Sequence, residues 1–211
     1  MKGNGFWGRE YRSNQVHISR SMSSYSGPPS PFAAIGQKVT LDGTRSWSAA
    51  GPIASYEWTC TDGTTAGGAR VERTYDCPGT YSEILKITDA RGDVDYDFAV
   101  VQVVDAANPK LLPPTIHATY APTFGIRPGA VVTFKVRTFR TTAGEERWDF
   151  GDGNPVVRVR SDGNVKPRAI DGYAETVHRY TQPGHYVVRV ERSAKDGSKA
   201  TAHLQVRVTA P

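Results

Sequence analysis

Trp148-Asp149-Phe150-Gly151-Asp152-Gly153 is the stretch on which the fold turns. Trp148 and Phe150 stand two apart, so a strand directs both to one face and Asp149 to the other. The Gly-Asp-Gly that follows supplies the unusual dihedrals and the short side-chain-to-backbone bonds of a tight turn. Further on, Tyr180 and Tyr186 flank the Pro183-Gly184 turn, where each ring can fill one layer of a sandwich. The expectation is a buried strand, a turn, and two aromatic strand ends packed over it.

The same text occurs earlier in the chain. Tyr56-Glu57-Trp58-Thr59-Cys60-Thr61-Asp62-Gly63 aligns with residues 146–153 at an offset of 90, and residues 73–81 align with 178–186 at an offset of 105. Internal repetition of this kind marks two copies of one unit. The second copy carries about fifteen extra residues between its motifs, within 154–177, and an added hairpin is predicted there.

Short strand-like runs fill both copies. Val39–Leu41, Ile53–Cys60, Val71–Tyr75, Tyr81–Thr88 and Val94–Val104 are the first set. Val132–Val136, Arg147–Phe150, Ala174–Tyr180, Tyr186–Glu191 and Leu204–Val208 are the second. With 21 Gly and 14 Pro and no long helix-period apolar pattern, this spacing predicts an all-β protein. Residues 105–114, Asp-Ala-Ala-Asn-Pro-Lys-Leu-Leu-Pro-Pro, read as a joint whose freedom the prolines limit. The expected organisation is an extended Ser/Pro-rich segment (1–31), a first sandwich (32–108) and a second (109–211).

W-D-F-G-D-G followed by H-x-Y-x-x-P-G-x-Y resembles the signature of the polycystic-kidney-disease (PKD) domain, over about residues 32–105 and 114–208. The resemblance implies two tandem immunoglobulin-like β-sandwiches with Trp58, Tyr75, Tyr81, Trp148, Phe150, Tyr180 and Tyr186 as motif core. It also implies a secreted or cell-surface setting, in which such modules accompany polysaccharide- and protein-degrading domains. The first copy departs from the pattern: Cys60 takes the inward place of Phe150, and Cys77 the place of Gln182. A Cys60–Cys77 disulfide is expected, replacing a core aromatic by a cross-link of about 3 kcal/mol; the alternative is two separate reduced thiols. A bond would require an oxidising compartment.

The formal net charge of +5 hides an asymmetry. Residues 32–108 hold six Lys/Arg against eleven Asp/Glu, whereas residues 109–211 hold sixteen against nine. The basic residues alternate along strands, as in Val157-Arg158-Val159-Arg160, which reads as a solvated sheet face rather than a nucleic-acid footprint. An acidic unit beside a basic one favours head-to-tail contact, within or between chains. No apolar run is long enough to span a membrane, so no membrane insertion is expected. Met1-Lys2-Gly3-Asn4-Gly5 has no apolar h-region, so a secreted destination implies a mature form or a piece of a longer chain.

Catalysis finds no constellation. His17, His117, His178, His185 and His203 fall on separate runs, and no nucleophile elbow, HExxH or phosphate loop occurs. Asp149 and Asp152 belong to turns. Asp89, Asp93, Asp95 and Asp97 could suggest calcium but lack the ligand spacing of an EF-hand loop. Arg91-Gly92-Asp93 is explained as a turn. No cofactor or metal is called for. Trp47, in a loop of small residues, is the best ligand candidate, because an exposed aromatic can stack on a sugar or anchor a partner. Phe6, Trp7 and Tyr11 are large side chains without a core of their own, and Val16-His17-Ile18 could be donated to a neighbour's sheet. The expected function is a non-catalytic extracellular binding or spacer module, whose partners are a polysaccharide or protein polymer or neighbouring domains. The rival expectation is a self-assembling structural or adhesive surface protein.

Overall fold

The computed structural model describes residues 32–48, 51–108, 110–164 and 172–210. The N-terminal segment with Phe6, Trp7, Tyr11 and Val16–Ile18 lies outside the described residues. Fourteen strands and no helix are found in the described part. No helix there is long and apolar enough to cross a membrane.

In the first half, β1 (Ala33–Ala34), β7 (Val94–Val104), β6 (Gly79–Asp89), β3 (Ile53–Thr59) and β4 (Thr65–Gly67) form one sheet. β2 (Val39–Asp42) and β5 (Arg70–Arg73) form the layer opposite. Strand alternation sends Val39, Leu41 and Val71 inward from the small layer, to meet Trp58, Leu85, Ile87, Ala99, Val101 and Val103 from the large one. In the second half, β14 (Lys199–Val208), β13 (Gly184–Ser193), β10 (Glu146–Asp149) and β11 (Val157–Val159) form one layer. β12 (Ala174–His178), β9 (Val132–Phe139) and β8 (Thr115–Ala121) form the other. Phe134, Trp148, Phe150, Tyr180, Val188, Val190, Val206 and Val208 fill the space between. Each half is therefore a two-layer sandwich around its own core.

Among the described residues of 154–177, no hairpin beyond the β10–β11 pair is found, and residues 165–171 lie outside the described part. β11 pairs with β10 as β4 pairs with β3, so this hairpin is common to both copies. The added length follows β11 and brings Ser161 and Asp162 under β9 and β10, where Arg137 bonds Asp162 at 2.7 Å and Ser161 bonds Glu146 at 2.5 Å. β8 escapes the strand reading, because Thr115–Ala121 alternates small and half-buried residues without a strong apolar face.

The two sandwiches touch. The start of β14 runs parallel to the start of β6, Lys199 beside Gly79 and Ala200 beside Thr80. Thr80 Oγ1 donates to the Pro114 carbonyl at 2.7 Å, and Arg140 donates to that of Pro113 at 3.1 Å, so the joint is held at both prolines. Gln205 donates to Asp95 at 2.9 Å, and the His203 ring stacks on Phe98 at 5.6 Å. Gly79 is required for this approach: a Cβ there would lie 2.9 Å from the Lys199 carbonyl oxygen.

Candidate functional site

Two regions bear on function, the motif interiors and the exposed surface around them. In the second sandwich the motif builds a continuous ring stack. Trp148 and Phe150 lie parallel at 6.0 Å, Phe150 stacks on His178 at 4.1 Å, and Tyr180 stacks on Tyr186 at 4.1 Å. His178 Nε2 meets the Asp152 carboxylate at 2.7 Å. Asp149 and Asp152 also accept the amides of Gly151 and Asn154, two residues on, which is the turn chemistry of short acidic side chains. Tyr186 closes the Pro-Gly turn by donating to the Gln182 carbonyl at 2.8 Å. Asp149, Asp152, His178, Tyr180 and Tyr186 are thus all bonded within the motif, while the buried Trp148 indole N–H meets no acceptor among the described residues.

The first sandwich keeps the plan with different side chains. Tyr81 donates to the Cys77 carbonyl at 2.8 Å, and the Tyr75 and Tyr81 rings lie 4.4 Å apart. Arg73 and Asp62, at 2.7 Å, take the place of His178 and Asp152. Burial would raise the Asp62 carboxyl, but bonds from Arg73 and Thr64 outweigh it and bring it to about 2. The expected Cys60–Cys77 disulfide is not formed, and both thiols are free. Cys60 follows β3 into the core and is buried, whereas Cys77 rides on the outside of the Pro78-Gly79 turn and is exposed, so the two side chains occupy different environments. A disulfide needs its two Cβ atoms within about 4.5 Å and directed at one another. Burial, then the charge of Glu83, push the Cys60 thiol up and keep it protonated.

Two buried charged groups escaped the sequence reading. Glu83 is fully buried in the first core, at the repeat position of Val188. It accepts from the Thr61 amide at 2.5 Å and from Thr61 Oγ1 at 3.1 Å, while its second oxygen and the nearby Tyr75 hydroxyl complete no hydrogen bond of ordinary geometry. Burial pushes the Glu83 carboxyl upward despite these donors. Glu146 and Arg192 are equally buried in the second core and pair at 2.8 Å, at the repeat positions of Tyr56 and Ile87. Burial would raise Glu146 too, but Ser161, Thr138 and Arg192 bond to it, and its carboxyl is lowered. The signal for all three was strand alternation, which puts each of them at an inward position.

On the surface, Trp47 is 48% exposed, in the loop between β2 and β3. Asp89 is bound by Ser48 at 2.6 Å and by the Arg91 and Asp93 amides, so it shapes the β6–β7 turn that carries Arg91-Gly92-Asp93. Asp95 and Asp97 each accept the amide of the next residue. The four aspartates do not converge, and no group of three metal-ligating side chains is found among the described residues.

Two tandem immunoglobulin-like sandwiches, built on repeated aromatic turns, define the class. Residues 28–103 and 117–208 each match a model of the PKD domain, and the chain belongs to that family. It is 30% identical over 71 residues to collagenase ColA of Clostridium perfringens, a match spanning 34% of this chain and 6% of that protein. The solved fibronectin(III)-like modules of Clostridium thermocellum CbhA are 16% identical, with TM-score 0.32, over 86% of this chain and 92% of theirs. The Bacteroides ovatus mixed-linkage glucan utilization locus protein SGBP-B, solved with a mixed-linkage heptasaccharide, is 14% identical, with TM-score 0.31, over 95% of this chain and 48% of its own.

Proposed function

We propose that this chain is a non-catalytic module of a larger secreted or surface protein, which engages an insoluble polysaccharide or protein polymer or holds a neighbouring domain in place. The observation that carries this reading is membership of the PKD family over both 28–103 and 117–208, in motifs whose polar groups are committed to turns. Local identity to a collagenase supports a polymer-associated, extracellular setting. Trp47 supplies the exposed ring with which such a module could stack on a polymer.

Co-sedimentation of the whole chain with cellulose, chitin and collagen, against a polymer-free control, tests the reading. Pelleting with one polymer, reduced by Trp47→Ala, is the expected result. A chain that stays in the supernatant with every polymer leaves only the spacer role. The self-assembling alternative is favoured by one observation: among the described residues β12 is an edge strand, paired with β9 alone, with Val177 62% exposed. Pelleting in the polymer-free tube would point there.

A further inference from the structure

The outer face of the second sandwich sets like charges side by side. On β11 and β10, Arg158 stands directly across from Arg147, and Arg147 stands directly across from Glu191 on β13. Side chains so placed have Cβ atoms about 5 Å apart, and like charges in that position repel. The carboxylate that could relieve them is already engaged: Glu191 is 2.7 Å from Arg189 and 3.9 Å from Arg147. Lys199, at the start of β14 and opposite Ser193, adds a third cation. Neither Arg158 nor Lys199 meets a carboxylate among the described residues. These side chains line an open groove of about 380 Å³ together with Glu145, Glu191 and Ser193.

We propose that this groove binds the anionic group of an acidic polysaccharide, a carboxylate or a sulfate ester, in contact with Arg147, Arg158 and Lys199. This deepens the polymer-binding reading and rests on it. A planar guanidinium grips a carboxylate or sulfate through two parallel N–H donors, and two adjacent guanidiniums hold one anion better than either alone. The mixed charge of the groove selects the ligand. Glu145 and Glu191 would repel a polyphosphate backbone, which carries a charge at every residue. They suit a sugar chain, in which one anionic group is surrounded by hydroxyls that a carboxylate or Ser193 can bond. The volume matches a site for about one or two sugar rings rather than an extended strand.

Native affinity electrophoresis of the full chain tests this, in gels containing polygalacturonate, dextran sulfate, neutral dextran or double-stranded DNA. The side chains of Arg158 and Lys199, unlike their backbones, take no part in the strand pairing, so Arg158→Gln and Lys199→Gln leave the protein folded. The expected result is retardation by polygalacturonate or dextran sulfate and not by neutral dextran or DNA. Each variant should weaken it at least tenfold, and Trp47→Ala should leave it unchanged. Retardation by polygalacturonate assigns a carboxylate ligand, and retardation by dextran sulfate alone assigns a sulfate. Equal retardation of wild type and both variants overturns the groove while leaving polymer binding intact. No retardation by either acidic polymer also overturns it, and the co-sedimentation experiment then decides separately whether the wider reading survives. Stronger retardation by DNA would replace the polysaccharide with a nucleic acid.

Discussion

Glu83 and Glu146 are both fully buried, one in each sandwich, yet the two halves treat them in opposite ways. Glu146 lies among Thr138, Ser161 and the Arg192 guanidinium, each bonded to it at 2.9 Å or less. Glu83 takes its well-formed bonds from Thr61 alone among the described residues. The Tyr75 hydroxyl lies near its second oxygen without closing a bond of ordinary geometry, and the Arg73 charge acts on it without pairing. Burial acts on both carboxyls; what differs is the number of donors the fold delivers. Thr138 and Arg192 come from β9 and β13, and the extra residues of the second sandwich add Ser161, while the first passes from β4 to β5 with almost no loop. A buried charge is thus tolerated in proportion to its partners, which facing strands and a neighbouring insertion supply together.

The largest expected effect comes from breaking the satisfied member. Arg192→Met leaves Glu146 buried without its cation and should cost about 3–5 kcal/mol in chemical denaturation of the full chain. The double variant Arg192→Met/Glu146→Leu should recover most of that loss. If the double variant is as unstable as the single, the hydroxyl donors rather than charge compensation hold this core.

A second effect concerns the junction. Burial, then the charge of Arg189, lower the His203 imidazole to about 4, against a bond with the Ser82 backbone that acts the other way. The unfolded chain takes up that proton near pH 6.5 and the folded chain only near pH 4. Stability contributed by neutral His203 is therefore present above pH 6.5 and is lost as pH falls to about 4, by about 3 kcal/mol. Glu83 works in the opposite direction: its raised carboxyl is protonated in the folded state first, so folding gains as pH falls through that value toward the unfolded one. Urea midpoints measured between pH 7 and pH 4 should show a smaller acid loss in His203→Leu than in wild type. An unchanged slope would show that His203 titrates freely.

Gly151 separates the two motif turns next. Its φ is +73°, and a Cβ there would lie 2.5 Å from the Val187 carbonyl oxygen. The first sandwich has Thr61 at this position, whose hydroxyl donates to the corresponding carbonyl, that of Ser82, at 3.2 Å. Gly151→Ala should cost about 2 kcal/mol, for a left-handed non-glycine residue pressed against backbone. A cost below about 0.5 kcal/mol would mean that the second turn can relax to the geometry of the first.

The smallest effect tests Glu83 itself. Glu83→Gln keeps an acceptor for the Thr61 amide and removes the charge, so at pH 7 it should stabilise the chain by on the order of 1 kcal/mol. The gain should shrink as acid protonates the wild-type carboxyl. A destabilised variant at pH 7 would show that the ionised form is needed.

Much of this was legible in the residues. Trp58, Trp148, Phe150, Tyr75 and Tyr180 are buried, at positions marked by alternation of period two and by a repeat visible by eye. The turn roles of Asp149 and Asp152 follow from local bonds, which spacing along the chain can reveal. The cysteines misled. Their motif positions are close in the chain, but one points into the core and the other rides outside a turn, a difference of direction that spacing does not carry. Alternation marks Arg158 as lying on an exposed sheet face, but strand register decides that Arg147 is the residue beside it.

By itself the sequence determined that the chain is all-β, repeated, and built on aromatic strand–turn motifs. Those properties depend on contacts between residues near in the chain and on the period of the strand. Only the tertiary structure decided that Arg192 meets Glu146 across 46 positions, that Glu83 lacks such a partner, and that β14 docks beside β6. The energy of a buried charge is set by the donors surrounding it, and those donors come from strands that only folding brings together.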